Sequence, residues 1–415
     1  MEFIELKEKE FDSFARNHKY SSFLQSVEEY HIKKEEGYEC YLVGVKHEDT
    51  LIAATFLQSM PVARFFRYFY APRGFLMDYE DKELMDFFFS HLKKYLYDHK
   101  CLYLKFDPYV PLIQRDKNGE IVKDGFDHHD YIDALLRQGC KHGGFTTGFN
   151  AVSQARWMMV LDLKNKTEED LIKNMDQLRK RIIKKVDSNH VVVSFLSHDE
   201  LPLYEKVVEE TGKRKGFLAR EHSYHEHLYH FFGEDQIKIA YAQLDVKGYM
   251  KEQTQKVEEA MSKFHKLKSE YDEKPTEKLK KKMELAAQTL ENTKKKRSEA
   301  EVLLNQGEWM PLASCFFILY GKEIVYLSGG SYHEYNKYNG PYTIQWNMIR
   351  YALSHGYTSY NFYGTSGNFH KDADDYGVYE FKRGFNAEAV ELLGDFYLPI
   401  RKGCFSVYNR LKHIV

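Results

Sequence analysis

The sequence predicts an α/β protein made of two similar domains, with a helical arm inserted in the second. Three observations support this fold class. The chain has 415 residues, too many for one ordinary domain and about right for two or three. One order of strands and helices occurs twice along it. A third stretch, residues 249–306, is rich in Lys and Glu and almost free of glycine, which is typical of long exposed helices.

The composition excludes several classes of protein. With 43% hydrophobic and 29% charged residues, the chain can bury sizeable cores and is not disordered. Its net charge of -2 excludes a globally basic nucleic-acid-coating protein, but it leaves room for a local basic patch. The five cysteines are far apart and form no CxxC pair, so we expect a reducing compartment. Without a signal-peptide pattern or a membrane-length apolar run, the sequence predicts a soluble, cytoplasmic protein.

The first copy of the repeat lies in the first third of the chain. Its predicted elements are, in order, a strand at 41–45, a polar turn at 47–50, strands at 51–58 and near 68–70, an amphipathic helix with Leu84, Phe87, Phe88, Leu92 and Leu96 on one face, and a buried strand at 101–106. The second copy has the same order. Its predicted elements are strands at 237–244, 312–319 and 323–327, a helix at 343–354 and a strand at 359–363. Two similar domains make the seam between them a natural place for a ligand site.

The arm interrupts a hairpin of the second copy. Its apolar residues fall at steps of three and four, as in a coiled coil, and Pro275 breaks the pattern. We therefore expect two antiparallel helices of roughly 20 residues each. From Lys251 to Glu301 there are 14 Lys or Arg and 11 Asp or Glu, a net charge of +3. A solvated structural arm and a projection that touches a polyanion both fit this charge.

A basic helix is predicted between the two copies. Thr167 is a suitable N-cap, and Leu171, Met175, Leu178 and Ile182 form an apolar face. Its later turns carry five cations: Arg179, Lys180, Arg181, Lys184 and Lys185. Cations are favoured at any helix C-terminus. Five in seven residues exceed that need, so we interpret them as a surface that contacts phosphates.

Two candidate catalytic positions are ambiguous from the residues alone. Asp107 precedes a proline at the end of a strand, where it could be a base or a turn residue. Lys382 lies between aromatic residues, which suits a partly desolvated cation, although a basic strand end would look the same. The histidines between His222 and His230 have spacings that favour ordinary surface residues over a metal site. We therefore predict no metal.

Familiar cofactor motifs are absent from the sequence. There is no P-loop, no GxGxxG after a strand, no HExxH and no GxSxG. Two α/β copies of this kind suggest a pair of acetyltransferase-like folds. However, no Arg or Gln is followed by the glycine pattern that binds the pyrophosphate of CoA. CoA is therefore disfavoured as the acyl donor, and we predict no cofactor.

Five separated stretches stand out when they are taken in order: Tyr68–Gly74, Cys101–Tyr109, Leu178–Arg181, Tyr360–Gly364 and Tyr376–Asn386. Together they resemble the Fem family of tRNA-dependent aminoacyltransferases that build peptidoglycan cross-bridges, in particular its FemA/FemB branch. The resemblance covers nearly the whole chain and includes the arm. It implies two tandem acetyltransferase-like (GNAT-like) domains, the first formed by residues 1–150 with the returning tail 395–415. The second domain would be 151–394, interrupted by a coiled-coil arm at 249–306.

The same resemblance implies a function. Members of the family transfer an amino acid from charged tRNA to an amine of a lipid-linked peptidoglycan precursor. Glycine is the first candidate, with serine and alanine as alternatives. The expected partners are aminoacyl-tRNA, the precursor at the inner membrane face, and either further copies of the chain or related Fem proteins. We expect a cytoplasmic enzyme that is peripheral to the membrane when it acts on the precursor.

The resemblance also assigns residues. It places Lys382 and Phe381 at the reacting centre and Lys33, Arg220 and Tyr224 at the precursor, where Tyr326 is a further candidate. Independently of the resemblance, Asp107 is the candidate base if the acceptor is a lysine side chain, because that amine needs more activation. A rival hypothesis is a noncatalytic module that holds tRNA or a wall precursor on a degenerate transferase fold, although the presence of Lys382, Lys33 and Arg220 favours an enzyme.

Overall fold

The computed structural model describes residues 1–150 and 153–414. The predicted boundary between residues 150 and 151, and the last residue of the predicted tail, fall at or outside the edges of these ranges. Within them, the chain forms two β-sheets flanked by helices. The predicted α/β class is thereby confirmed.

The first sheet has seven strands and is built mainly from the first third of the chain. Its strands, in spatial order, are β1 (Glu2–Glu5), β2 (Glu39–His47), β3 (Thr50–Val62), β4 (Phe66–Ala71), β5 (Cys101–Phe106), β15 (Phe396–Pro399) and β7 (Lys141–His142). All neighbours are antiparallel except β4 and β5.

The second sheet has eight strands. In spatial order they are β6 (Pro111–Ile113), β14 (Glu388–Leu392), β8 (Trp157–Asp162), β13 (Ser359–Thr365), β12 (Glu323–Ser331), β11 (Trp309–Tyr320), β10 (Ile237–Asp245) and β9 (Val191–Leu196). Here too one pair is parallel, β12 with β13.

Thirteen α-helices are described. They are α1 (Glu8–Asn17), α2 (Val27–Glu35), α3 (Lys82–Asp98), α4 (His129–Arg137), α5 (Glu168–Asn174), α6 (Gln177–Ile183), α7 (Leu201–Lys215), α8 (His222–Gln236), α9 (Val246–Glu273), α10 (Glu277–Gln306), α11 (Gly340–Ser354), α12 (Tyr376–Gly384) and α13 (Lys402–Lys412).

The parallel pair in each sheet reveals the repeat. A parallel neighbour needs a crossover, and in each sheet that crossover is a helix whose apolar side is buried: α3 joins β4 to β5, and α11 joins β12 to β13. The strands that precede each pair form antiparallel hairpins. Sequence periodicity therefore predicted both copies with the correct element order.

The two halves of the chain also exchange strands. β15, from the C-terminal tail, pairs with β5 and β7 in the first sheet. In the other direction, β6 follows the first copy but pairs with β14 in the second sheet. The predicted domain limits stay a prediction, and β6 departs from them. We use first and second domain below for each sheet with its flanking helices.

The arm consists of α9 and α10, which pack along each other. They contain 28 and 30 residues, so they are longer than the predicted 20, because α9 begins at Val246 directly after β10. Pro275 lies in the turn between them, as its missing N–H requires. Asp245 and Trp309 are paired across the base of the hairpin.

Candidate functional site

The two domains meet where α2 packs against α8. The ring of His31 stacks on Phe231 with centroids 5.9 Å apart, and Phe23 meets Phe232 edge-on at 6.4 Å. Phe23 and Leu24, which precede α2, and Ile32 of α2 are thus part of a core that otherwise belongs to the second domain. A small cavity lies at this junction. It is lined by residues of both domains: Ser22, Phe23, Leu24, Arg73, Tyr109, Met158, Glu323, Val325, Asn361 and Tyr363.

Lys33 lies in the last turn of α2, beside this junction. Its ammonium is 2.7 Å from a carboxylate oxygen of Glu36 and 3.6 Å from one of Glu29. Burial lowers the pKa of Lys33, but the two carboxylates outweigh it and hold the pKa above its ordinary value. Burial also raises the pKa of Glu29 to about 6, although Lys33 opposes this. Lys33 is therefore a charged group held in place.

Arg220 and Tyr224 face this helix from the second domain. Arg220 lies in the loop before α8, and its guanidinium carbon is 5.2 Å from the centre of the Tyr224 ring. Burial raises the pKa of Tyr224, Tyr363 and Glu29 raise it further, and Arg220 lowers it. Glu29 thus interacts with Lys33 on one side and with Tyr224 on the other. Two of the predicted precursor-binding residues, Lys33 and Tyr224, thus interact with Glu29, and the third, Arg220, lies over the ring of Tyr224.

Lys382 lies in α12 and is 4% exposed. The sequence is also compatible with a strand end at this position, but the structure shows that residues 376–384 form a helix. Its Nζ donates hydrogen bonds to the carbonyl oxygens of Gly364, at 2.6 Å, and Tyr363, at 3.3 Å. Burial lowers the pKa of Lys382 to about 7, with Asp375 opposing. An ammonium has three N–H groups, so the charged form retains one donor beyond these two carbonyls.

Tyr363 connects Lys382 to the acceptor-side residues. It has a φ of 65°, and the pairing of β13 with β8 shifts register between Asn361 and Gly364. Such a bulge re-aims carbonyls and side chains and is common beside active sites. Burial raises the pKa of the Tyr363 phenol, and the charges of Arg73, Asp107, Arg220 and Glu29 also act on it. The carbonyl of Tyr363 therefore contacts Lys382, while the charge of Arg220 acts on its phenol.

Asp107 follows β5 and is enclosed. Its carboxylate is 3.0 Å from the guanidinium of Arg73, and Tyr70 donates a hydrogen bond to it at 2.8 Å. Burial raises the pKa of Asp107 to about 6, and Arg73 opposes the rise. The carboxyl is 2% exposed, so an acceptor amine reaches it only if Arg73 or Tyr70 moves. Its role as a base stays a prediction.

Phe381 and Tyr326 are directed elsewhere. Phe381 packs against Tyr342, at 4.9 Å, and Phe385, at 5.5 Å, on the side of α12 that faces α11. Tyr326 packs on Phe317 at 5.5 Å and against the main core of the second domain. Their predicted roles, at the reacting centre and in precursor binding, stay predictions.

The basic segment between the copies is not one helix. It breaks at Met175, whose ψ of 161° is extended, and Asp176 caps a second helix, α6. This break rotates the apolar face, so Leu178 is 42% exposed and Arg179 is buried instead.

The prediction that Arg179 is a surface cation in contact with phosphates is therefore wrong. It forms an ion pair with Asp176 at 2.9 Å and donates a hydrogen bond to the carbonyl of Glu380 at 2.6 Å. Of the other four predicted phosphate contacts, Arg181, Lys184 and Lys185 are exposed and Lys180 is half-buried.

The histidine-rich segment also differs from the prediction of ordinary surface residues. His225 is 2% exposed and lies 3.2 Å from Glu205, which is also 3.0 Å from His222. Burial lowers the pKa of His225.

Over residues 1–150 and 153–414, no group of three His, Cys, Asp or Glu residues could hold a metal ion. In the same ranges, no helix is long and apolar enough to cross a bilayer.

Sequence reasoning assigned no role to Arg73, Glu29 or Tyr363, which the structure places in this site. Arg73 and Tyr363 lie inside two of the five stretches that resemble the Fem family, and this position was the feature of the sequence that could have identified them as site residues. Glu29 had none, because an acid in the first turn of a helix is common for electrostatic reasons alone.

Comparison with known proteins gives a consistent result. A model of the FemAB family matches residues 6–413. The aminoacyltransferase FemA of Staphylococcus aureus strain MW2 is 39% identical over 417 residues, covering 100% of this chain and 99% of that protein. The FemA of the bovine strain RF122 is also 39% identical with the same coverage.

Among solved structures, the crystal structure of FemX is similar in fold. It has a TM-score of 0.80 and 24% sequence identity, and the match covers 98% of this chain and 99% of that one. The similarity in fold thus extends over nearly the whole chain.

Proposed function

The chain belongs to the FemAB family, and from that premise we propose that it is an aminoacyltransferase of peptidoglycan cross-bridge formation. It moves an amino acid from charged tRNA to the amine of a lipid-linked precursor. The transferred residue is glycine, with serine and alanine as the alternatives to be tested. The enzyme acts as a peripheral protein at the inner membrane face, either as copies of itself or with related Fem proteins.

The chemistry needs little activation. The ester that joins an amino acid to tRNA is already reactive, which agrees with the absence of a nucleotide-binding loop from the sequence. The terminal amine of a glycine chain has a pKa of about 8, so much of it is neutral near neutral pH. Alignment and stabilisation of the tetrahedral oxyanion then account for most of the catalysis.

Lys382 is the residue proposed to stabilise the oxyanion. Two carbonyl oxygens fix its Nζ, and the remaining N–H can donate to the developing negative charge. Because burial lowers its pKa to about 7, any anion that forms or binds next to it will favour the protonated form. A lysine side chain as acceptor, with a pKa of about 10.4, would need a base, and Asp107 would then have to be uncovered.

One observation carries the proposal. The backbone of Tyr363 and Gly364 binds Lys382, while the Tyr363 side chain approaches Arg220 and Glu29, which themselves adjoin Tyr224 and Lys33. Donor chemistry and precursor binding can therefore meet at one strand between the domains. Arg220 can hold a precursor phosphate through two parallel hydrogen bonds, and Lys33 adds a point charge.

The tRNA is proposed to contact the arm and the cations of the basic segment, the exposed Arg181, Lys184 and Lys185 and the half-buried Lys180. Both surfaces are positively charged, and phosphate contacts supply most of the sequence-independent affinity for nucleic acid.

The function is tested by transfer assays with a panel of tRNAs charged with labelled glycine, serine or alanine. Each is combined with lipid-linked acceptors whose bridges have different lengths. We expect glycine to be transferred to one bridge length. Transfer of serine or alanine alone would correct the amino acid, and absence of transfer with every pair would contradict the proposed activity.

A further inference from the structure

The loop between α7 and α8 exposes an apolar tip between positive charges. We use the name 213–220 loop for the last turn of α7, Lys213 to Lys215, together with the connection that follows it as far as Arg220. Leu218 at its tip is 97% exposed, which is the highest value for a large apolar side chain in the described residues, and Phe217 is 45% exposed. A single exposed leucine is ordinary, so the argument depends on what surrounds it.

The backbone holds this tip in a defined position. Helix α7 ends at Gly216, whose φ is 77°, and the N–H groups of Gly216 and Phe217 both donate to the carbonyl of Gly212. Beyond the tip, Ala219 packs on the core of the second domain. The loop is therefore fixed at both ends, and Leu218 projects because the backbone turns it outward.

Cations flank the tip on both sides. The last turn of α7 carries Lys213, Arg214 and Lys215, and Arg220 follows the tip. A helix C-terminus favours cations in any case. Lys213 pairs with Glu210 at 2.8 Å, and Lys215 is exposed. Apolar side chains at the tip of a basic loop have the two properties that bind a protein to the interface of an anionic bilayer.

Arg220 is part of the proposed precursor site, and it is two residues from Leu218. The chain between them spans at most about 7 Å. In a lipid-linked precursor the phosphate is bonded directly to the lipid, so a group that binds the phosphate must lie at the membrane surface. A membrane-facing Arg220 therefore brings Leu218 to the depth of the headgroups.

We propose that the 213–220 loop is a membrane-docking surface, with Leu218 and Phe217 entering the interface of an anionic lipid bilayer and the flanking cations on the headgroup phosphates. The lipid-facing direction of Arg220 rests on the proposed function, but the binding of the loop to lipid does not. Contact with tRNA through the same cations is less favoured, because an RNA backbone offers Leu218 no apolar surface.

The test compares full-length variants on vesicles. Leu218→Ser removes the apolar tip, and Leu411→Ser is the matched control, since Leu411 is 72% exposed and lies between Arg410 and Lys412 on α13. Sedimentation with vesicles of phosphatidylglycerol and phosphatidylcholine should show binding of the parent and of Leu411→Ser. The affinity of Leu218→Ser for these vesicles should be lower than that of the parent by about tenfold or more. Vesicles of phosphatidylcholine alone should bind the parent weakly.

Transfer assays separate this inference from the proposed function. On an acceptor that lacks the lipid chain, Leu218→Ser should match the parent, whereas on lipid-linked acceptor in vesicles it should be slower. Equal vesicle binding by Leu218→Ser and parent would overturn the inference, as would a loss confined to Leu411→Ser or to tRNA binding. Slower transfer to the soluble acceptor would mean that the loop covers the acceptor site instead. If the parent transfers nothing, the proposed function fails, and vesicle binding still decides the inference.

Discussion

Each domain buries one lysine to about the same extent, and the two have different surroundings. Lys105, in β5 of the first domain, is 3.0 Å from the carboxylate of Asp395 and donates a hydrogen bond to Ser153 at 2.8 Å. Lys382, in the second domain, donates to two carbonyls, and its pKa is lowered to about 7 by burial. Both residues are 4% exposed.

The difference shows how one topology supports two roles. In the first domain the region beside the parallel strand pair is closed by ion pairs, Lys105 with Asp395 and Arg73 with Asp107. In the second domain the carbonyls of a bulged strand bind a lysine without neutralising it. The Lys105 charge is neutralised by a carboxylate, and removing one partner of such a pair is costly. Lys382 has two carbonyl partners instead, so its charge can stabilise an anion that forms during the reaction.

The largest expected effect concerns the paired lysine. Replacing Lys105 with Met removes the ion partner of the half-buried Asp395 carboxylate, which retains the hydrogen bond from Ser153. We expect the free energy of unfolding to fall by about 3–5 kcal/mol, measured by urea denaturation. Lys141→Met, at an exposed position of the same sheet, is the control and should change it little. A stable Lys105→Met protein would remove the contrast between the two lysines.

The second prediction concerns pH. Between pH 7 and the ordinary value of 10.5, the unfolded chain holds a proton on Lys382 that the folded protein does not. Stability of the parent should therefore rise with pH from about 7 relative to Lys382→Met, by at most about 1.4 kcal/mol per pH unit. Unfolding free energies of both proteins at several pH values measure the difference. Parallel curves would mean that the pKa of Lys382 is not lowered.

The third prediction concerns the residues across the domain junction. Lys33→Met and Arg220→Met should each raise the KM for the precursor about tenfold, with a smaller effect on aminoacyl-tRNA, because each removes a charged donor. Arg220→Lys should restore affinity only in part, since lysine lacks the bidentate geometry. Tyr224→Phe should have a smaller effect.

Lys34→Met is the control for Lys33→Met, because it is the next residue on α2 and is exposed. Unchanged precursor affinity in both Lys33→Met and Arg220→Met would place the precursor elsewhere.

The smallest expected effect concerns the arm. Asp245 and Trp309 are paired at its base, and Leu303 packs in the core of the second domain. A short turn in place of residues 254–298 therefore shortens the arm and leaves the sheet and this core intact. If the arm contacts tRNA, the shortened protein should bind it more weakly and with a flatter dependence on salt, as fewer phosphates are neutralised. An unchanged salt slope would make the arm a structural or oligomerisation element.

The sequence predicted the fold well where the spacing of apolar residues agrees with the positions of residues that end helices and strands. The helix around Leu92 and the buried strand at 101–106 have the predicted positions, because apolar spacing determines which face is buried. The break near Pro275 was predicted for the same kind of reason. By contrast, no proline or glycine near Met175 predicts the break between α5 and α6. The resulting rotation buried Arg179 and exposed Leu178.

The candidate site was predictable only in part. Motif resemblance supplied Lys382, Lys33 and Arg220, which are far apart in the chain. Their relation depends on Glu29 and on the unusual backbone of Tyr363, and a bulge in a strand leaves no clear periodicity in the sequence. The burial of His225 against Glu205 was missed for a similar reason, since its ion partner lies on another helix.

The central claim is that Lys382 stabilises the oxyanion, and the turnover of Lys382→Met tests it most directly. With labelled aminoacyl-tRNA and saturating precursor, we expect turnover to fall by a factor on the order of 10²–10³, while the affinity for precursor changes little. Near-normal turnover in a folded Lys382→Met protein would contradict the claim.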